Sequence, residues 1–203
     1  MSTRASEISE SEVDRLRELA HIGASWAAGA FARLVERTIL TRVPVVYGPE
    51  RFRRRGEWET GILCDLTGDL TGLVAILMSS RTRESVIRLL CGAEGPPREI
   101  AASALTEFGN ILVSQTASAV ADTLGGRILP SLPELVFSDA ETALQVRMSP
   151  RRCPDALLYI ESELFDRAGE FRALHVMVPR VVKESPPIKP GKTGAQRRAR
   201  SEP

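Results

Sequence analysis

Several features that would mark a secreted protein, a membrane protein or a metalloenzyme are sparse or absent in this sequence. The chain has only two histidines and three cysteines, a formal charge of +1 and no apolar run near the roughly 20 residues that span a bilayer. Cys64, Cys91 and Cys153 are far apart and odd in number, which matches neither a disulfide framework nor a zinc site. The charged N-terminal segment lacks the apolar region of a signal peptide. These absences predict a cytoplasmic protein with reduced thiols and no metal or cofactor of its own.

The chain nevertheless contains enough apolar sequence for one sizeable domain. A length of 203 residues and a hydrophobic content of 43% suit a single core. We expect a disordered N-terminus over residues 1–8, one domain over 9–182, and a disordered, Pro-rich basic tail over 183–203. A basic cluster, Arg51 to Arg55, is interpreted as a solvated turn in preference to a patch for an anionic partner.

A polar stripe on a long predicted helix is the main candidate site. Apolar periodicity predicts a helix over about 97–124. Ser103, Glu107 and Asn110 stand at i, i+4 and i+7 on one face of it, and Ser114 continues the stripe by one turn. The opposite face is apolar and is predicted to be buried: Leu105, Phe108, Leu112 and Ala119. A carboxamide is uncharged at every pH and both donates and accepts, so it can orient a water molecule.

The same stripe occurs a second time, 89 residues earlier in the chain. At this offset Asp14, Glu18 and His21 occupy the places of Ser103, Glu107 and Asn110. Further pairs match over about thirty residues, among them Leu16 with Leu105, Ile22 with Ile111, Ala28 with Ala117 and Pro44 with Pro133. One ungapped offset of this length argues for a duplicated unit, in which one helix has a histidine where the other has an asparagine.

The other predicted elements follow the same order in both halves. A first helix, from about residue 13 to 38, starts at one of two capping patterns, Ser9 to Glu12 or Ser11 to Asp14. Strands are predicted over 43–47, 59–66 and 70–79, with a hairpin at 67–69, and again over 132–137, 156–164 and 171–179; a short helix over 83–91 separates the halves. The predicted fold class is α/β (α+β): pseudo-two-fold duplicated helix-plus-three-strand units, about 10–92 and 98–181, forming one antiparallel-rich sheet backed by helices.

These motifs resemble a known family. The segment Ser103-x-x-x-Glu107-x-x-Asn110-Ile111-Leu112 fits the pattern [Asp/Ser]-x-x-x-Glu-x-x-Asn of the CheC/CheX/FliY phosphatases of bacterial chemotaxis. The segment from Glu18 to Ala28 is similar to the first helix of that family, and the resemblance covers roughly residues 10 to 180. It implies a pseudo-symmetric domain that dephosphorylates the phosphoaspartate of a CheY-like receiver.

The resemblance also implies roles for individual residues. Glu107 and Asn110 would be catalytic, with Ser103 and Ser114 contributing to binding. Mg2+ would be held by the receiver, and CheD remains open as a second partner. His21 departs from the family, which has Asn there, and an imidazole differs from a carboxamide in reach and in taking up a proton. We therefore predict that Asp14, Glu18 and His21 form a degenerate second site, the alternative being that His21 is a packed polar residue.

Of the other functional classes, one stays open and two are disfavoured by the sequence. A non-catalytic receiver-binding module or a structural part of a flagellar switch stays open as an alternative to the phosphatase. A metal hydrolase is disfavoured because His21 and His175 stand alone, without the spacing of metal ligands. A nucleic-acid binder is disfavoured because the basic segments are not interleaved with aromatic residues beyond Phe52.

Overall fold

A computed structural model of the chain describes residues 8–48, 55–92, 95–149 and 158–182. The predicted disordered tail, most of the predicted disordered N-terminus, four of the five residues of the basic cluster and Cys153 lie outside these ranges. Within them the elements follow in this order: α1 (Glu10–Val35), β1 (Leu40–Thr41), β2 (Val45–Tyr47), β3 (Thr60–Gly68), β4 (Leu70–Met78), α2 (Ser80–Cys91), α3 (Arg98–Leu124), β5 (Ile128–Pro130), β6 (Glu134–Val136), α4 (Ala140–Arg147), β7 (Tyr159–Phe165) and β8 (Arg172–Val182).

The first of the two candidate capping patterns starts α1. The hydroxyl oxygen of Ser9 accepts from the backbone N–H of Glu12 at 3.2 Å, and the Glu12 carboxylate accepts from the backbone N–H of Ser9 at 3.0 Å. This reciprocal capping box satisfies two backbone donors that a helix otherwise leaves unpaired. The helix therefore starts at Glu10, three residues before the predicted position.

The eight strands form one antiparallel sheet in which the two halves exchange strands. Its order is β1-β7-β8-β4-β3-β5, with β2 also pairing with β7 and β6 also pairing with β3. The short strands of the first half thus pair with a long strand of the second half, and the reverse holds for β5 and β6. Strands β4 and β8 pair at the centre, so the pseudo-two-fold axis that relates the halves passes between them.

The structure confirms one antiparallel sheet backed by helices but corrects the count of elements. Each half contributes four strands, not three. Where one strand was predicted around Pro44 and one around Pro133, the structure has two short strands in each place. Pro44 lies between β1 and β2, and Pro133 between β5 and β6; a proline has no N–H to donate to a ladder. Helix α4 was not predicted, and α2 begins at Ser80 instead of Arg83, since the Ser79 side chain caps it.

Helices α1 and α3 lie side by side on one face of the sheet and supply most of its core. The small residues of α1 allow close approach: a Cβ at Gly23 would lie 2.8 Å from Cγ2 of Thr116 on α3. Phe31 of α1 packs edge-to-face on Phe108 of α3, with 5.0 Å between ring centroids. Trp26 of α1 is not part of this core, because it is 55% exposed.

Helix α4 covers the opposite face of the sheet and holds the segment before β3. Ala140, Leu144 and Met148 pack there in a second apolar cluster with Trp58. The buried Glu141 carboxylate of α4 accepts backbone N–H bonds from Gly56 at 3.0 Å, Trp58 at 3.2 Å and Glu57 at 3.3 Å. These bonds replace the water that a buried carboxylate would otherwise require.

One residue of the basic cluster is described, and it is paired. The Arg55 guanidinium donates to the Glu161 carboxylate at 2.7 Å. Burial raises the pKa of the Glu161 carboxyl, while the charge and hydrogen bond of Arg55 act in the opposite direction. Arg55 thus has a partner within the protein, while the other four residues of the predicted solvated turn lie outside the described residues.

A single histidine is buried between the helix layer and the sheet. His175 of β8 has no solvent exposure, and its Nε2 lies 3.1 Å from the hydroxyl oxygen of Thr116 on α3. The same hydroxyl lies 3.1 Å from the carbonyl of Leu112 and 3.3 Å from that of Gly23. A hydroxyl has one proton, so when it donates to a carbonyl its lone pair accepts Nε2–H from a neutral imidazole.

Candidate functional site

The stripe on α3 projects from the helix layer as predicted. Ser103 and Glu107 are exposed, and Asn110 and Ser114 are half-buried. The residues predicted to lie on the opposite face, Leu105, Phe108, Leu112 and Ala119, are all buried. At the helical rise of about 1.5 Å per residue, Glu107 and Asn110 are separated by about 4.5 Å along the axis, so both can reach one small group on a partner.

Neither functional group of this stripe is used inside the protein. Across the part of the chain that the structure describes, no side chain forms a hydrogen bond or an ion pair with Glu107 or Asn110. An unpaired carboxylate can bind a cation, and an unpaired carboxamide can both donate to and accept from a water molecule. The stripe is therefore suited to a partner that brings a cation and a reactive group.

The stripe on α1 differs from that on α3 in its electrostatics as well as at two of its three equivalent positions. Asp14, Glu18 and His21 are all exposed, so the alternative of a packed His21 is wrong. Asp14 is paired with Arg17 on the same helix, with Nη1 to Oδ1 at 2.7 Å. Arg17 brings a positive charge to the first stripe, whereas Thr106 occupies the equivalent position on α3. A cationic group of a partner would therefore meet a less favourable surface on α1 than on α3.

A loop beside the α1 stripe was not identified from the sequence as part of the site. Val43 and Pro44, between β1 and β2, border a depression of about 230 Å³ together with Asp14, Arg17, Glu18 and His21. The equivalent loop between β5 and β6 carries Leu132, which is 91% exposed, next to Pro133. The available signal was the pairing of the two prolines at the repeat offset, which marked a repeated loop without showing that it borders the stripe.

Comparison with known proteins shows what the chain is similar to. The sequence profile of the CheC-like family matches residues 100–136, the segment that includes Ser103, Glu107 and Asn110. The chain is 29% identical over 189 residues to the CheY-P phosphatase CheC of Bacillus subtilis (strain 168), covering 85% of this chain and 90% of that protein. The chain is thus similar to the CheC-like family in this segment and to a CheC protein over most of its length.

Solved structures of FliY and CheX share the fold of this chain. FliY of Thermotoga maritima superposes with a TM-score of 0.62 at 18% identity, covering 87% of this chain and 93% of that one. CheX in the CheX–CheY–BeF3–Mg2+ complex from Borrelia burgdorferi superposes with a TM-score of 0.58 at 15% identity, covering 81% and 99%. At these identities the likeness establishes the CheC-like fold and leaves the roles of individual residues to the site itself.

A membrane-spanning helix and a metal-binding cluster are both absent from the described residues. Among them, no helix is both long and apolar enough to cross a membrane. The described residues also contain no group of three or more His, Cys, Asp or Glu side chains arranged to hold a metal ion. In this CheC-like fold, the α3 stripe is thus the candidate site with free functional groups at the predicted spacing.

Proposed function

We propose that this protein accelerates hydrolysis of the phosphoaspartate of a CheY-like receiver domain, and that α3 carries the chemistry. The observation that supports this most directly is the pair of exposed Glu107 and half-buried Asn110 on the helix that matches the CheC-like profile, neither of which has a side-chain partner among the described residues. The Bacillus subtilis relative is named a CheY-P phosphatase, and the Borrelia burgdorferi structure holds CheX in a complex with CheY.

The proposed chemistry requires little of this protein beyond positioning. An acyl phosphate is already reactive, and the receiver contributes its own Mg2+ and lysine. Asn110 orients a water molecule in line with the phosphorus, while Glu107 pairs with the receiver's lysine and sets the docking register. A rate gain of about 100-fold corresponds to roughly 2.7 kcal/mol of transition-state stabilisation, which positioning can supply. Ser103 and Ser114 add hydrogen-bonding groups at the two ends of the stripe.

The decisive experiment replaces Asn110 and uses the repeat to provide the control. Asn110→Ala should lower the rate of phosphate loss from the cognate phosphorylated receiver by about 100-fold and leave most receiver binding intact, since the amide acts only in the transition state. His21→Ala, at the equivalent exposed position on α1, should leave the rate unchanged. An Asn110→Ala protein that is as active as wild type would contradict the assignment.

An assay of receiver binding and phosphate release distinguishes the phosphatase from the alternative roles. A panel of phosphorylated receivers, each mixed with the protein and followed by phosphate release, identifies the cognate partner. Binding without acceleration would favour the receiver-binding or flagellar-switch module. Binding of CheD stays open.

A further inference from the structure

Gly109 lies between the two proposed site residues in sequence but on the buried side of α3. A Cβ built on Gly109 would lie 2.5 Å from Cγ2, 2.6 Å from Cγ1 and 2.7 Å from Cβ of Ile62 on β3. These separations are far inside van der Waals contact, which carbon pairs reach at about 3.5 to 4.0 Å. The absence of a side chain therefore allows the α3 backbone to lie directly against β3.

Helix formation does not explain this glycine. Glycine is the weakest helix former after proline, and Gly109 lies near the middle of a 27-residue helix. Gly29 of α1 provides a contrast, because a Cβ there would find only Nη1 of Arg33, at 3.8 Å. At the repeat offset, the position equivalent to Gly109 is Ala20, so α1 already carries the methyl group that the contact with Ile62 excludes from α3.

Ile62 also belongs to the strand that holds the β5–β6 loop, which is the repeat equivalent of the loop beside the α1 stripe. It is in register with Leu135 of β6, and Leu66 at the other end of β3 is in register with Pro130 of β5. The β5–β6 loop, with the 91% exposed Leu132, is therefore fixed to β3 by strand pairing. Strand β3 thus supports the loop by hydrogen bonds and α3 by the contact under Gly109.

We propose that Gly109 is a positioning residue that sets the height of the Glu107 and Asn110 stripe relative to the β5–β6 loop, so that both meet one receiver domain together. The inference rests on the proposed phosphatase function. A methyl group at 109 would have to move from 2.5 Å to an ordinary contact of about 3.5 Å from Ile62 Cγ2, so α3 would retreat by about 1 Å while the loop stayed on β3. A misplacement of about 1 Å in a catalytic group lowers the rate on the order of 100-fold.

The test compares Gly109→Ala with Gly29→Ala, measuring thermal midpoint, kcat and KM for the phosphorylated receiver. Gly29→Ala should raise the midpoint by about 2–4 °C, the gain expected from helix propensity, and leave kcat unchanged. Gly109→Ala should show no such rise, and its kcat should fall by roughly 30- to 100-fold. KM should change less, because an ion pair between long side chains tolerates such a displacement better than an in-line water does.

A second variant distinguishes an effect on the height of α3 above β3 from an effect on folding. In Gly109→Ala/Ile62→Gly all three side-chain carbons that crowd position 109 are gone, so kcat should recover by about 10-fold over Gly109→Ala. Ile62→Gly alone controls for the lost core packing. The inference is overturned if folded Gly109→Ala has wild-type kcat, if the double variant recovers nothing, or if neither variant folds. A wild-type protein inactive on every receiver would instead refute the proposed function, whereas the pair of thermal midpoints would still test the contact with Ile62.

Discussion

Burial of His175 makes the stability of this protein depend on pH in a calculable window. Loss of solvent on burial lowers the pKa of the imidazole from 6.5 to about 4. Its Nδ1 is buried without a hydrogen-bond partner, so a second proton would have no acceptor there. The cross-strand neighbours of His175 are Ile76 and Ser162, neither of which is charged.

The sign of the effect follows from which state binds the proton. Between pH 6.5 and 4 the unfolded chain protonates this residue and the folded protein does not, so stability is complete above pH 6.5 and falls as the pH is lowered. The full shift corresponds to about 3 kcal/mol, and about 2 kcal/mol of it should already be lost at pH 5. That is a large part of the 5–15 kcal/mol by which domains are typically stable.

The comparison that isolates this term uses His175→Val. The pseudo-two-fold axis relates the pair Val74–Met177 to the pair Ile76–His175, so Val74 is the residue of β4 that corresponds to His175. Urea unfolding at pH 7.5 and pH 5 gives the free energy of unfolding for both proteins. Wild type should lose about 2 kcal/mol more than His175→Val over this interval, since all other titrating groups are common to both. Equal losses would refute the reasoning, because they would mean that His175 takes up its proton in the folded protein as readily as in the unfolded chain.

Three further predictions concern the two stripes and the second face of the sheet. Glu107→Lys should weaken receiver binding more than Glu107→Ala, through repulsion of the partner's lysine; unchanged binding of both by calorimetry would exclude the ion pair. His21→Asn should raise the dephosphorylation rate by at most about twofold if the stripes act independently, and an unchanged rate would show that α1 has also lost its docking surface. Glu141→Gln should lower the free energy of unfolding, measured in urea, by about 1–3 kcal/mol, because one carboxamide oxygen cannot replace two carboxylate oxygens that accept three backbone N–H bonds. A change under about 0.5 kcal/mol would contradict that role.

The repeat, the long helices and the spacing of the site could be predicted because they depend on residues close in sequence. Shifted by 89, α1 (Glu10–Val35) spans 99–124 and β2 (Val45–Tyr47) spans 134–136, which are the observed positions of α3, to within one residue, and of β6. Helical periodicity, the capping box at Ser9 and the left-handed glycine at the end of α3 act within one or two turns. The face that carries Glu107 and Asn110 follows from the same local geometry.

Other features were decided only by contacts between distant residues. Nothing local shows that β1 and β2 pair with β7 instead of a strand of their own half, or that the eight residues of α4 cover the second face of the sheet. The alternation of residues along β8 does not show whether His175 is buried or exposed. Its burial against Thr116 depends on how α3 crosses the sheet. Likewise, Gly109 reads from the sequence as an unfavourable helix residue. Its contact with Ile62, 47 residues earlier, arises because exchanging strands between the halves brings β3 beneath α3, and only that packing leaves no room for a side chain.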